Sequence, residues 1–378
     1  MSDRLHEATA DELGDWDART VELPGGDVEQ SLAWARHRAR LGWRPRHLVF
    51  DDGYRLLSLE RPWVLVGGSG AYLSHGPIGA GEPVARTAER LRAAADHLAS
   101  TGVDVLSSDA EIEASTGYGA LIERDGFRPI EEARASRHRM RLRLPPGTDE
   151  DALFRGFQAT LRQLVRGAER SGLEVVRYDA RCGDGPGAPV GEGFRAPEDG
   201  TLGTGSRAAF ERLYDLLVAA ATRRHFRLGT RRGFVEWSAD ALAAGHVVYL
   251  EVRDPDDRML GGATFYRHGG RLTYSHSADR VEVRREHPGV VRLLLWRAIQ
   301  LALREGLGEM DLGGVDVAGA RRVPDEGEPM YGLYAFKRSF GAEWVEQVGN
   351  HEWVARPWRY AAGRLTGRVV ALARRSGP

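Results

Sequence analysis

The stretch YGLYAFKRSFGAEW, from Tyr331 to Trp344, contains the only lysine of the chain. Every other residue among the 53 lysines and arginines is an arginine. A GC-rich genome would explain the general use of arginine, but it does not explain the exception. Lysine offers a compact, strongly hydrated point charge where arginine offers a broad planar fork. Lys337 is therefore the first candidate for chemistry, and chance survival of a surface lysine is the alternative.

A second group of polar residues lies in TYSHSA, which reads as a strand. Side chains alternate along a strand, so Tyr274 and His276 are predicted to share one face. His276 is either an acid–base group, since histidine titrates near neutral pH, or a hydrogen-bonding wall residue. The twelve histidines show no spacing typical of metal ligands, so no metal is expected.

Composition narrows the class of protein. A chain of 378 residues with 42% hydrophobic residues can form two domains with real cores. The formal net charge of −1 gives no global field that would attract nucleic acid. One cysteine, Cys182, excludes an internal disulfide framework and a cysteine-rich metal site. The polar, acidic N-terminus is unlike a signal peptide, and no stretch approaches the length of a membrane span, so a cytoplasmic protein is expected.

The sequence contains what we interpret as a duplication. Each copy has several short strands, a helix that ends at glycine, and a further strand. Three pairs of equivalent residues are separated by nearly the same number of positions along the chain. They are His75 and His276, Pro83 and Pro288, and Gly102 and Gly306. A strand, crossing helix and following strand build mixed α/β layers. The alternative is that an α/β protein without a duplication also shows such a repeated order of elements.

A unit of three strands, a helix and a strand resembles the N-acetyltransferase (GNAT) fold. That fold normally binds the pyrophosphate of acyl-CoA through an Arg/Gln-x-x-Gly-x-Gly/Ala loop at a helix N-terminus. The equivalent stretches here, GPIGAGEPVA and VRREHPGVVR, do not match that loop well. The GNAT-like unit is therefore expected without the CoA-binding loop.

From about Gln30 to Val354 the chain resembles the Fem family (FemABX-like), the aminoacyl-tRNA-dependent transferases that build peptidoglycan cross-bridges. EQSLAWARHRARLGW is similar to the first helix of that family, and YLSHGP, LSSDAEI and EMDLGGV follow in order. GLYAFKRSFG is the most specific of these motifs. The resemblance implies an α+β fold of two tandem GNAT-like subdomains without a long coiled-coil arm. The first would contain residues 1–145 and 349–378, and the second residues 146–348.

The resemblance also implies the reaction. An amine of a peptidoglycan precursor stem peptide would attack the ester of an aminoacyl-tRNA and form an amide. The precursor can be UDP-linked or lipid-linked, and aminoacyl-tRNA is a co-substrate, with no cofactor. Two alternatives stay open, which are the same chemistry on a small antibiotic-type amine and an acyl-CoA-dependent N-acyltransferase. A non-catalytic module that binds tRNA or precursor is a third.

The same resemblance assigns roles to particular residues. Lys337 would contact the tetrahedral centre or a substrate carboxylate, with Phe336 as the adjacent wall. An ammonium placed at an oxyanion supplies electrostatic stabilisation. Asp109 would bind the incoming ammonium or accept its proton, and a turn-capping aspartate is the alternative. The family usually has proline after this aspartate, whereas Ala110 follows here.

The remaining site residues are expected to bind substrate. Arginine binds phosphate in a bidentate manner, and Arg38 and Arg224 match positions expected to bind the precursor diphosphate. The family often has lysine at the first of these positions and tyrosine where His276 stands. The substrate-binding set implied by the resemblance is Gln30, Trp34, Arg38, Arg224, Tyr274, His276 and Phe336, and the positions of Tyr274 and His276 would line the acceptor site.

The C-terminal segment PWRYAAGRLTGRVVALARRSGP contains no acidic residue. Its apolar residues fall at helical spacing, with arginines elsewhere; the apolar positions are Trp358, Ala362, Leu365, Val369 and Leu372. A basic amphipathic helix can contact tRNA phosphates or an anionic membrane surface. The alternative is that the helix packs on the first subdomain.

Overall fold

A computed structural model describes residues 4–64, 66–131, 138–184, 189–224, 227–280, 282–317 and 320–375 of the chain. Within these ranges, the side chains of residues 224, 284, 285 and 367–375 lie outside the description. The chain divides into two compact units. Unit 1 contains Met1–Arg137 and Glu346–Pro378, and unit 2 contains His138–Val345.

Strands and helices are numbered in chain order. The strands are β1 Leu5–Glu7, β2 Arg44–Phe50, β3 Arg55–Pro62, β4 Ser69–Leu73, β5 Val103–Ser108, β6 Arg128–Pro129, β7 Arg139–Arg143, β8 Glu174–Tyr178, β9 Val247–Arg253, β10 Met259–His268, β11 Arg271–Asp279, β12 Glu309–Gly314, β13 Glu343–Val345 and β14 His351–Val354. The helices are α1 Ala10–Gly14, α2 Trp16–Thr20, α3 Leu32–Arg40, α4 Val84–Ser100, α5 Tyr118–Arg124, α6 Glu150–Gly156, α7 Ala159–Arg170, α8 Thr204–Arg224, α9 Arg231–Ala243, α10 Val283–Glu286, α11 Val290–Arg304, α12 Tyr331–Arg338 and α13 Pro357–Arg375.

Each unit is built on a seven-stranded sheet. The order is β1-β2-β3-β4-β5-β14-β6 in unit 1 and β13-β7-β12-β11-β10-β9-β8 in unit 2. Strands β4 and β5 are parallel and joined by α4, as β11 and β12 are parallel and joined by α11. Parallel neighbours need such a crossover connection. The neighbouring pairs β2–β3–β4 and β9–β10–β11 are antiparallel.

The helix that the sequence predicts in each copy is present as a crossover helix. In α4 the residues Ala88, Leu91, Ala95 and Leu98 are buried at helical spacing. Helix α11 begins at Val290, two residues after Pro288, and it is buried along most of its length. Both predicted helices are confirmed, and each packs into the hydrophobic core of its own unit.

In each sheet, the strand that follows the crossover helix also pairs with a strand that is distant from it in the sequence. Strand β14 pairs with β5 in unit 1, and β7 pairs with β12 in unit 2. The sequence-based boundary at residue 145 assigns residues 139–143 to the first subdomain, whereas the structure places them in the second sheet. The reason is packing, because Met140 and Leu142 are buried in the core of unit 2.

Candidate active site

A pocket of unit 2 lies where two parallel strands separate. Strands β11 and β12 pair only from Arg271 opposite Glu309 to Thr273 opposite Asp311. Beyond that point β11 continues beside a pocket of about 590 Å³. The pocket is lined by β11, the start of α11 and the helix α12, through residues that include Tyr274, Ser277, Val290, Met330 and Phe336. A concave site with few polar groups is typical of a small-molecule or cofactor site.

Lys337 is the buried cation beside this pocket. It follows Phe336 in α12, and only 4% of its surface is exposed. Its Nζ donates a hydrogen bond of 2.9 Å to the Gly314 carbonyl at the end of β12. A methyl group added at Gly313 would lie 3.4 Å from Lys337 Nζ and 3.3 Å from the Tyr274 carbonyl oxygen. The ammonium therefore sits at the point where β11 and β12 separate.

Burial changes the acidity of this lysine. Desolvation lowers the pKa of Lys337 to about 8, and the nearby Arg139 acts in the same direction. The carboxylates of Asp311 and Asp316 oppose this and favour the charged form. At neutral pH the side chain is mainly an ammonium, but it is a stronger acid than an ordinary lysine. Such a group can donate a hydrogen bond to a developing oxyanion in a site that excludes water.

A β-bulge changes the predicted orientation of the strand residues. Ala263 pairs with Ser277 and Phe265 pairs with Tyr274, so two residues of β11 stand opposite one of β10. The extra residue shifts the alternation of side chains between the two faces of β11. Tyr274 and Ser277 therefore share a face, and their hydroxyl groups contact each other at the pocket. The prediction that Tyr274 and His276 share a face is wrong.

His276 instead packs in the opposite direction. Its ring meets Phe234 edge to face at 5.4 Å, and its Nδ1 lies 2.9 Å from Ser275 Oγ. Burial lowers the pKa of His276 to about 4. The imidazole is therefore neutral at physiological pH and is a weak proton acceptor. Of the two alternatives that the sequence leaves open, these contacts favour a hydrogen-bonding wall residue.

Asp109 lies in unit 1, directly after β5, and it is fully buried. Its Oδ2 accepts a hydrogen bond of 2.6 Å from the Tyr72 hydroxyl, and its Oδ1 accepts one of 2.7 Å from the His75 amide. The carboxylate thus joins the end of β5 to β4 and to the turn that follows it. His75 lies in that turn, with a φ of 50°, and not within the strand. A catalytic role for Asp109 stays a prediction.

A second concavity, the unit 1 groove, has a volume of about 750 Å³. Aromatic side chains and arginines dominate its lining, which includes Trp43, Arg61, Trp63, Tyr72, Tyr360 and Arg364. Tyr72 connects the groove to Asp109 through its hydroxyl.

Arg38 and Trp34 lie close to the unit 1 groove. The guanidinium of Arg38 stands over the Trp34 ring at 5.3 Å and over the Trp43 ring at 4.8 Å from the centroids. The structure therefore groups Trp34, Arg38 and Asp109 around one groove of unit 1.

Two predicted binding residues are not placed at a site. Gln30 is buried, and its side-chain amide accepts from the Leu57 N–H at 2.8 Å and donates to the Ser74 carbonyl at 2.7 Å. These bonds hold the segment before α3 against β3 and β4, so we correct the assignment of Gln30 to a structural role. Arg224 ends α8, and its side chain lies outside the described residues.

The structure also shows groups that the sequence motifs do not reveal. Asp27, His75 and Glu111 come from three separate segments, and their ligand atoms lie within 4.8 Å of one another. His75 Nδ1 is 3.0 Å from Asp27 Oδ1, and we propose no metal there. Ser277 was missed because a bulge brings it to the pocket face. Asp311, within the quoted motif EMDLGGV, was the available signal for a carboxylate near Lys337.

Comparison with known proteins agrees with this geometry. A model of the acetyltransferase (GNAT) domain matches residues 195–338. Lipid II:glycine glycyltransferase of Staphylococcus aureus strain MSSA476 is 22% identical, with 95% of this chain and 96% of that protein covered. The crystal structure of FemX superposes with a TM-score of 0.74 at 18% identity, covering 95% of this chain and 99% of that one. The resemblance to the Fem family is confirmed.

The FemX likeness establishes the α+β fold of two GNAT-like subdomains. The structure of L-PGS from Bacillus licheniformis has a lower TM-score of 0.54 at 13% identity, over 96% of this chain and 98% of that one. The longest helix among the described residues, α8, has 21 residues, and no long coiled-coil arm occurs in that part of the chain. None of the helices described here combines the length and the hydropathy needed to cross a bilayer.

Proposed function

We propose that this protein transfers an amino acid from an aminoacyl-tRNA to an amine of a peptidoglycan precursor stem peptide. The observation that carries the proposal is the buried ammonium of Lys337 beside the pocket formed by Phe336 and Tyr274. Support comes from the full-length similarity to a protein named lipid II:glycine glycyltransferase and from the FemX fold. The proposed place of action is the cytoplasm.

In this proposal the pocket of unit 2 receives the amino acid ester. The neutral amine of the acceptor attacks the ester carbonyl, a C–N bond forms, and the C–O bond to the ribose breaks. The attacking nitrogen loses a proton, and the ribose oxygen gains one. Lys337 stabilises the negative charge that develops on the carbonyl oxygen. The Gly314 carbonyl takes one of the three N–H donors of the ammonium, so donors are left for a substrate oxygen.

The acceptor is assigned to the unit 1 groove. Its arginines suit the diphosphate of a precursor, because guanidinium groups pair with phosphate oxygens. Its aromatic side chains offer flat surfaces for sugar rings or bases. Arg38 is held over two tryptophan rings, which fixes its charge close to the groove.

The alternative acceptors and donors are separated by one assay. The protein is incubated with tRNA charged with glycine, alanine or serine and with three acceptors, which are UDP-linked precursor, lipid-linked precursor and a small amine. Mass spectrometry of the acceptor should show the gain of one amino acid residue. Transfer from acetyl-CoA with none from any charged tRNA would replace the proposal with an N-acyltransferase. No transfer from any donor would favour a binding module.

A further inference from the structure

The C-terminal helix α13 attaches to unit 1 through one particular face. The Tyr360 hydroxyl donates a hydrogen bond of 2.6 Å to Glu352 Oε2. Gly363 lies against the Trp63 ring so closely that a Cβ there would come within 2.5 Å of it. Arg359 Nε is 3.5 Å from the buried Asp104 carboxylate. The polar and small residues of the helix therefore make the attachment.

Two residues of the apolar stripe predicted from the sequence, Trp358 and Leu365, lie on the side of α13 opposite to this attachment. Trp358 is 70% exposed and Leu365 is 64% exposed. They are two helical turns apart and lie on one side of the helix. Val64, in the connection between β3 and β4, is 46% exposed and borders the unit 1 groove together with Tyr360 and Arg364. We call Trp358 and Leu365 the apolar face of unit 1, and Val64 is a further exposed apolar residue at the adjacent groove.

Exposed apolar side chains lose the free energy that burial would provide, about 25 cal/mol per Å². Isolated cases are common on soluble proteins. In the described part of α13, apolar Trp358 and Leu365 are exposed, whereas Arg359, Tyr360 and Gly363 contact unit 1. This orientation is typical of a surface that another apolar phase covers.

The charge beside the apolar face indicates the occupant. The segment from Pro357 to Pro378 has five arginines and no acidic residue. Arg61 and Arg364 also line the adjacent groove. Each arginine near an anionic leaflet contributes about 1 kcal/mol of attraction. Tryptophan prefers the interface between water and hydrocarbon.

A nucleic acid would satisfy only part of this surface. Phosphates would pair with the arginines, and a base could stack on Trp358. The aliphatic side chains of Leu365 and Val64 would gain nothing from either contact. A bilayer with anionic headgroups matches the cations, the tryptophan and the aliphatic residues together.

We propose that the apolar face docks unit 1 on an anionic bilayer, where the unit 1 groove receives the headgroup of a lipid-linked acceptor. This inference rests on the proposed function for the acceptor and goes beyond it, because it selects the lipid-linked class. The groove is bordered by Val64 and Arg364 and also contains Tyr72, which bonds Asp109. A headgroup presented at the bilayer surface would thus meet the side of unit 1 that carries the predicted acceptor residues.

Co-sedimentation of the full chain with vesicles tests the proposal without any donor. Vesicles of phosphatidylcholine with and without phosphatidylglycerol are compared. Binding should require phosphatidylglycerol, weaken at high salt, and fall about tenfold or more in the double variant Trp358→Ser/Leu365→Ser. The matched control is Val218→Ser, because Val218 is 41% exposed on α8 of unit 2. Equal binding by the double variant and the control would overturn the proposal.

Two further readouts distinguish the possible failures. The double variant should transfer amino acid to a soluble UDP-linked acceptor at the wild-type rate, and it should lose activity only toward acceptor embedded in vesicles. If the wild-type protein binds vesicles but transfers no amino acid, the proposed function is rejected and the proposed membrane-binding surface stands. Loss of tRNA binding in the double variant, with vesicle binding unchanged, would assign the surface to RNA instead.

Discussion

The two units repeat one scaffold but differ at the same structural point. In unit 1 the parallel strands β4 and β5 stay paired to their ends, with Leu73 opposite Ser108. In unit 2 the equivalent strands β11 and β12 pair only as far as Thr273 opposite Asp311 and then separate. The first arrangement leaves no gap between its strands, whereas the second creates a pocket beside Lys337.

The polar residues at these two points differ accordingly. In unit 1 the carboxylate of Asp109 is occupied by the Tyr72 hydroxyl and the His75 amide, and so it ties the strands together. In unit 2 the Lys337 ammonium is buried and donates a hydrogen bond to the Gly314 carbonyl at the point where the strands separate. The comparison teaches that a duplicated fold can hold a buried charged residue at the same structural point in both copies, where it ties the strands together in one copy and lies beside a pocket in the other.

The largest expected effect on the rate of transfer comes from replacing Lys337 in unit 2. Lys337→Arg keeps the charge but replaces a point charge with a fork in a buried site, so the kcat of transfer should fall about 100-fold or more. Arg338→Lys is the matched control, because Arg338 is the next residue of α12 and is exposed. Circular dichroism should show that both variants fold. Wild-type rates for Lys337→Arg would make this lysine a bystander.

The pH dependence of transfer sharpens the role of the same group. A lysine is charged below its pKa, and the pKa of Lys337 is lowered to about 8. If the ammonium is the active form, the single-turnover rate of the wild type divided by that of Lys337→Met should be level below pH 8 and fall about tenfold for each pH unit above it, because the ratio removes the titration of the acceptor amine. A control must follow hydrolysis of the aminoacyl ester without protein at each pH. A ratio that rises through pH 8 would mean that the neutral form of Lys337 acts as a base.

A substitution of Asp109 in unit 1 should mainly lower the free energy of unfolding, and only secondarily the transfer rate. Asp109→Asn weakens two charge-assisted hydrogen bonds to a buried group, so we expect the free energy of unfolding to fall by about 2 kcal/mol. Urea unfolding measures this, and Asp125→Asn at an exposed position of unit 1 is the control. A large loss of transfer rate at unchanged stability would instead assign Asp109 to the chemistry.

The smallest effect on rate is expected at His276. Its pKa of about 4 keeps it neutral at pH 7, so His276→Gln should change the kcat by less than about twofold. Stability gives the positive signal. Because the folded pKa lies below the ordinary value of 6.5, wild-type stability should decline as pH falls from about 6.5 toward 4, and the variant should lack this part of the decline. A strong drop in rate would restore the acid–base role.

Local patterns predicted much of this protein. The spacing of apolar residues located the helices α4 and α11, and the motif around Phe336 and Lys337 located the side chains that flank the pocket. These features depend on residues that are close in the sequence.

Features that depend on distant pairing were not predictable in the same way. The bulge at Ser275 and His276 is a mismatch of register between two strands, and the sequence of one strand does not contain it. The bonding of Gln30 depends on backbone groups of β3 and of the turn after β4. The strand β7 reads as part of the first copy, but its buried residues pack in the second.

The central claim is that unit 2 performs amino acid transfer through Lys337. The most direct measurement is the intact mass of the acceptor after a single turnover with charged tRNA, for the wild type and for Lys337→Met. The account predicts a gain of one amino acid residue with the wild type and a rate at least about 100-fold lower for the variant. An unchanged acceptor mass with every charged tRNA, or equal rates for the two proteins, would contradict it.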